Sequence, residues 1–106
     1  MKQYTTPEQT AKLIGLGFEK PKNEVKAEQA GDFAWYNPTY SIGELIEMLP
    51  NVINILYHAI LKIEIRGLKW HVKYDGDKGL EYLTYNSQLI DALYDMIVKL
   101  KEEGVL

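Results

Sequence analysis

The residues best equipped for chemistry are few: two histidines, some spaced carboxylates and a run of cations past mid-chain. His58 sits in the apolar run "LYHAIL" and His71 in "KWHVKY". Neither has a second histidine at an HxH or HxxxH spacing, and there is no cysteine, so neighbours in sequence do not assemble a metal ligand set. His58 therefore reads as a hydrogen-bonded core or boundary side chain. The "DGDKG" run, Asp75 to Gly79, spaces two carboxylates as a calcium loop does. That loop needs glycine at its sixth position and a bidentate glutamate at its twelfth, where this chain has Leu80 and Asn86, so the run reads as a solvated hairpin turn. Glu44 with Glu47, and Asp91 with Asp95, share helix faces by spacing. Acid–base work would require environments that push their pKa values apart, and spacing alone does not supply them. No serine lies in a Gly-x-Ser-x-Gly setting and no Walker-type loop is present; Gly15 and Gly17 lack a preceding strand, with Lys20 where a third glycine belongs. The sequence thus offers no catalytic residue, no metal ligand set and no cofactor-binding motif, and leans away from an enzyme.

Two clusters suit binding better. Lys62, Arg66, Lys69, His71 and Lys73 fall on the polar side of an alternating pattern, with Glu64 and Glu81 interspersed, and form a candidate anion or nucleic-acid face. Base stacking would also need exposed aromatics there, whereas the alternation turns Trp70 and Tyr74 to the other side. The second cluster is "FAWYNPTY", where Phe33, Trp35, Tyr36 and Tyr40 have the amphipathic character that protein interfaces favour. Phe33 to Tyr36 reads as a short edge strand before a turn at Asn37 and Pro38, open to a partner strand or a second copy.

Local signals place these clusters on elements. Thr6 and Gln9 spell a capping box around Pro7, opening a helix over Pro7 to Leu16 that Gly17 stops. In "YSIGELIEMLP", Ser41 and Glu44 form a second box, Tyr40 can staple onto Leu45, and Pro50 ends a helix over Ile42 to Leu49. Between these helices, residues 19–32 are charged and broken by Pro21 and Gly31, which predicts a mobile loop. After Pro50 the period becomes two: Leu61, Ile63 and Ile65 alternate with Lys62, Glu64 and Arg66, and Trp70, Val72 and Tyr74 with Lys69, His71 and Lys73. Arg66-Gly67 marks a tight connection, and a third strand follows over Leu80 to Thr84. Leu89, Ile90, Leu93, Ile97 and Leu100 then repeat at helical spacing, giving a helix over Ser87 to Glu103 that Asn86 or Ser87 would cap and Gly104 would end.

A chain of 106 residues with 46% hydrophobic and 25% charged residues has the size and composition of one globular domain. Its net charge of -3 gives no long-range attraction to phosphate backbones and disfavours nucleic acid as a partner. The start "MKQYTTPEQT" has no apolar run of the secretory kind, and charged residues interrupt Val52 to Ile65 before the roughly 20 residues a bilayer requires. A cytoplasmic protein, away from membranes, is the expectation.

With "TPEQTAKLIGLGFEKP", "YSIGELIEMLP" and "LIDALYDMIVKLKEEGVL" in view, the chain resembles small uncharacterised proteins encoded by gut bacteria and their prophage-like or other mobile elements. The likeness covers most of the chain outside Pro21 to Asp32. It implies a small intracellular accessory protein and carries no assigned activity. The expected architecture is α+β: a two-layer sandwich with a three- or four-stranded, mainly antiparallel sheet, about three helices on one face and the other face open. The expected role is a non-enzymatic protein-interaction or accessory module, with a protein partner or self-association, acting through the aromatic segment or the open face. The alternative is a nucleic-acid-binding module using the basic sheet face.

Overall fold

The computed structural model describes residues 2–21, 23–26, 36–54, 58–76 and 79–106; for residues 23–26, 36–38, 54, 58 and 79–81 it describes the backbone alone. Its elements run α1 (Pro7–Gly15), β1 (Asn23–Lys26), β2 (Tyr36–Thr39), α2 (Ile42–Met48), β3 (Val52–Asn54), β4 (His58–Arg66), β5 (Lys69–Gly76), β6 (Gly79–Asn86) and α3 (Leu89–Glu102). The fold is α+β: β3, β4, β5 and β6 form an antiparallel sheet in sequence order, and β1 pairs with β2 in a separate two-stranded sheet.

Both sequence-legible helix starts are built as capping boxes. Thr6 Oγ1 accepts from the Gln9 amide at 3.1 Å while Gln9 Oε1 accepts from the Thr6 amide at 2.9 Å. Ser41 and Glu44 repeat this at 3.2 and 3.1 Å. Leu49 is extended, as the residue before a proline prefers, and so ends α2. Gly17 and Gly104 have positive φ of 103° and 77° and close Schellman motifs: Gly17 and Phe18 donate to Ile14 and Leu13, and Gly104 and Val105 to Lys101 and Leu100. Phe18 and Val105 then pack onto the core, as the residue after such a glycine commonly does.

The start of α3 differs from the sequence expectation. Its N-cap is Gln88 rather than Asn86 or Ser87, and Gln88 makes no side-chain cap bond. Asn86 Oδ1 instead accepts from the Gln88 amide at 3.2 Å, and Gln88 Oε1 accepts from the Lys2 amide at 2.8 Å. Asn86 thus turns back onto the Gln88 amide, the N-terminal segment binds the Gln88 side chain, and the helix begins at Leu89. Its Leu89, Ile90, Ala92, Leu93, Met96, Ile97 and Leu100 are buried and form the largest single contribution to the core.

Two further corrections fall in the connecting segment. Asn37 and Pro38, expected in a turn, lie within β2, where Pro38 stands opposite Glu24. A two-stranded ribbon has outer edges on both sides, so proline fits without breaking an inner ladder. Part of the stretch expected as a loop is a strand, because residues 23–26 pair with 36–39. Phe33 and Trp35 lie outside the described residues, and the Tyr36 side chain is not among those described.

In the four-stranded sheet the alternation is the one the sequence carries. Leu61, Tyr74 and Tyr82 lie in register, as do Ile63, Val72 and Thr84, and these residues face the helices. Gly67, at φ 61°, occupies the first position of the two-residue turn between Arg66 and Lys69, where a primed hairpin turn requires positive φ. Val52–Asn54 adds an outer strand too short to show a period in the sequence. The Tyr74 side chain is fully buried, donates its phenol to the Pro50 carbonyl at 2.6 Å, and has its pKa pushed up to about 12 by burial.

The N-terminal segment is sewn to the same core. The Thr5 amide donates to the Tyr40 carbonyl at 3.0 Å and the Tyr40 amide to Thr5 Oγ1 at 3.0 Å. The Thr10 hydroxyl donates to the Thr6 carbonyl at 2.9 Å, so the Thr5 hydroxyl is the donor in its 2.7 Å bond to Thr10. Partnered in this way, the buried Thr5 and Thr10 hydroxyls fix the route of the chain instead of destabilising it, whereas the neighbouring Thr39 Oγ1 is buried without a hydrogen-bond partner.

Candidate functional site

The sheet face turned away from the helices gathers the candidate basic cluster. Alternation in β4 and β5 puts Lys62, Glu64 and Arg66 beside Lys69, His71, Lys73 and Asp75, and β6 contributes Leu83 and Tyr85. Across the strands Lys62, Lys73 and Leu83 stand in one row, and Glu64, His71 and Tyr85 in the next. Two lysines directly opposite each other would repel. Carboxylates separate them: Lys73 Nζ lies 2.8 Å from Glu64 Oε1 and Lys62 Nζ lies 3.5 Å from Asp75 Oδ2. Glu64 Oε1 also accepts from Arg66 Nε at 2.9 Å. The Lys73 hydrogen bond holds the Glu64 carboxyl below its ordinary range, with desolvation opposing and Arg66 adding to the effect.

Lys69 and His71 use an aromatic instead. Lys69 Nζ sits 4.9 Å from the centroid of the Tyr85 ring, and the His71 ring stacks on Tyr85 at 5.6 Å with 26° between planes. Tyr85 is 53% exposed and Ile60, on the same face, 47%. The five candidates are therefore brought onto one face, but they do not form an unbroken positive field. Three are in ion pairs with neighbouring carboxylates, and two surround an exposed tyrosine.

Tyr85 is the residue missed when the third strand is ended at Thr84. Strand β6 runs on to Asn86, and extending the alternation by one residue turns Tyr85 outward while Tyr82 and Thr84 remain on the helix side. Trp70 and Tyr74 do face inward, so the open face acquires its aromatic from β6 rather than β5.

The second candidate cluster fares differently. Tyr40 is 1% exposed and its hydroxyl donates to the Glu19 carbonyl, so it belongs to the interior and not to an interface. It forms, with Phe18 and Met48, the floor of a cleft of about 290 Å³ between the end of α1 and α2, rimmed by Glu44, Glu47 and Lys20. Burial raises the Tyr40 phenol, and Glu44 and Glu19 push it further.

The remaining carboxylates have structural employment. Asp91 Oδ1 accepts from Lys2 Nζ at 2.8 Å and from Gln9 Nε2 at 2.7 Å, tying the N-terminus and α1 to α3. Asp95 has its carboxyl raised, chiefly by desolvation and then by Asp91. Glu44 is part of its capping box. In the "DGDKG" run, Gly76 pairs with Gly79 across residues 77 and 78, and Asp75 is the Lys62 partner already described. His58 stands opposite Asn54 at the start of β4, and its side chain is not described. Among the described residues no group of three or more His, Asp or Glu side chains converges to hold a metal ion, and no helix is long and apolar enough to cross a membrane.

Fold and face together define an open-faced α+β sandwich that presents a charge-paired, aromatic sheet surface. Comparison with known proteins found no matching family model, no matching curated protein and no matching solved structure.

Proposed function

We propose that this protein is a non-enzymatic protein-interaction module, a cytoplasmic accessory protein of a bacterial mobile element, whose contact surface is the open sheet face centred on Tyr85. The observation that carries this reading is the half-exposed Tyr85 held between His71 and Lys69 on a four-stranded platform, with exposed Ile60 on the same face. A rigid tyrosine with an apolar body and a polar tip loses little conformational entropy on binding, and such residues dominate interface energetics. Lys62, Arg66 and Lys73 are already paired with carboxylates of the face, which suits a rim that sets specificity rather than a site that awaits counter-ions. The resemblance to small proteins of mobile elements supports the accessory role.

Affinity capture from a lysate of the host, with and without nuclease and at low and high salt, tests this reading. A specific protein recovered under all conditions by the wild type and lost with Tyr85→Ala is the expected result. Capture that Tyr85→Ala leaves unchanged removes the open face from the proposal.

The second reading, a nucleic-acid-binding module, draws on the same geometry. An aromatic flanked by a lysine and a histidine is how single-strand binders stack a base beside a phosphate. Against it, Lys62, Arg66 and Lys73 would have to leave Glu64 and Asp75 to meet phosphates, and the whole chain carries -3. It predicts binding that falls steeply with salt and disappears when Lys62, Arg66, Lys69 and Lys73 are reversed in charge.

A further inference from the structure

The sheet order leaves β3 and β6 as its two outer strands, and they are protected very differently. β3 has three residues and follows Pro50 directly after Asn51. β6 has eight residues, "GLEYLTYN", with no proline, lysine or arginine, and Glu81 is its single charge. Natural sheets blunt their edges with short strands, proline, lysine or bulges. β6 uses none of these along Tyr82 to Asn86, where its pairing to β5 is regular; the one register shift lies towards Gly79.

We infer that β6 pairs antiparallel with β6 of a second copy, joining two four-stranded sheets into one eight-stranded sheet about a two-fold axis. The sequence of the strand argues for a copy of itself as the occupant. In an antiparallel self-pair, opposed residues share a face, which restricts the central registers to those with Leu83 or Thr84 on the axis. The first sets Leu83 against Leu83 and Glu81 against Tyr85; the second sets Thr84 against Thr84 and Leu83 against Tyr85. In neither does Glu81 meet its own copy, so the strand's only charge is never opposed by a like charge. On the open face Leu83 meets Leu83 in the first register and Tyr85 in the second, and the contact is isologous and closes. The two Tyr85 clusters then flank one seam, making a single platform from two half-sites. The pairing does not depend on what that platform binds.

Light scattering over a concentration series tests the inference, with Leu83→Glu/Tyr85→Glu as the breaking variant. In both registers this double change sets introduced carboxylates of the two copies against each other, and in the first it also sets the one introduced at position 85 against Glu81. The expected result is a mass that rises with concentration to twice the 12.2 kDa of the chain. The double variant, with an unchanged circular dichroism spectrum, should have a dissociation constant raised at least about tenfold. Should that variant fail to fold, hydrogen exchange on the wild type decides. Amides of residues 83–86 should slow as concentration rises while those of β3 do not. A single-chain mass throughout, a dimer that persists in the folded double variant, or concentration-dependent protection at β3 or the helices would each overturn it.

Discussion

Alternate residues of the same strands build both faces of the four-stranded sheet, yet the two faces are organised by different forces. On the covered face, Val72, Tyr74 and the α3 residues Leu93, Met96 and Ile97 exclude solvent completely. Polar atoms there are accounted for one by one: the Tyr74 phenol reaches the Pro50 carbonyl, and the Thr84 hydroxyl donates to the Ala92 carbonyl at 2.7 Å. On the open face the described side chains keep some exposure, among the paired charges Lys73 the least at 14%, and order comes from ion pairs and a stacked ring. The covered face should therefore set stability, while the open face can change its partners at little cost to the fold.

The largest effect that could break this contrast is a cavity. Leu93→Ala removes a fully buried side chain from α3 and should cost about 2–5 kcal/mol by chemical denaturation. Tyr85→Ala, on the half-exposed ring, should cost no more than about 0.5 kcal/mol. Equal losses at the two sites would mean that the open face is not a solvated face at all.

Tyr74→Phe comes next, because it strands the Pro50 carbonyl, and it should cost about 1–3 kcal/mol. The buried phenol also predicts a pH dependence. Its folded pKa of about 12 lies above the ordinary 10.0, so burial favours the neutral, protonated form. The resulting stability is complete below pH 10 and is lost as pH rises from about 10 towards about 12. Urea midpoints across that window should fall for the wild type and fall less for Tyr74→Phe. An equally steep fall in the variant would assign the effect to other groups, Tyr40 and Tyr94 being tyrosines also raised by burial.

Features closed by nearby residues are legible in the sequence itself. The boxes Thr6–Gln9 and Ser41–Glu44, the glycine stops at 17 and 104, and the turn at Gly67 all complete within a few residues. The inward set Leu61, Ile63, Val72 and Tyr74 is legible too, because a period of two survives over nine- and eight-residue strands. The features that sequence reasoning misses depend on distant partners. Asn37 and Pro38 carry turn chemistry, but pairing with residues 23–26 holds them extended. Tyr40 carries two readings, an interface residue and a staple onto Leu45, and the reach of its hydroxyl to the distant Glu19 carbonyl keeps it inside. Asn86, an expected cap, is drawn into the sheet opposite Trp70, and the helix starts beyond it with Gln88 as N-cap. The open face is the same lesson in charge: its cations can be named from the pattern, but their neutralisation by Glu64 and Asp75 depends on cross-strand register.

The smallest effect on stability gives the sharpest test of that neutralisation. Glu64→Gln releases both Lys73 and Arg66 from one carboxylate oxygen. Solvent screens exposed pairs of this kind, so the neutral-pH stability should barely move. The carboxyl's lowered pKa gives stability that is present above its ordinary 4.5 and is lost as pH falls through the lower folded value; the variant should lack that acid-side loss. Its binding behaviour then separates the two readings of the open face. If the cations serve only as a rim around Tyr85, a labelled single-stranded oligonucleotide should show no salt-dependent anisotropy with either protein. If phosphate is the natural ligand, freeing two cations should tighten binding and steepen the dependence of log K on log salt by about 1.4, the increment for two further phosphate contacts on a single strand.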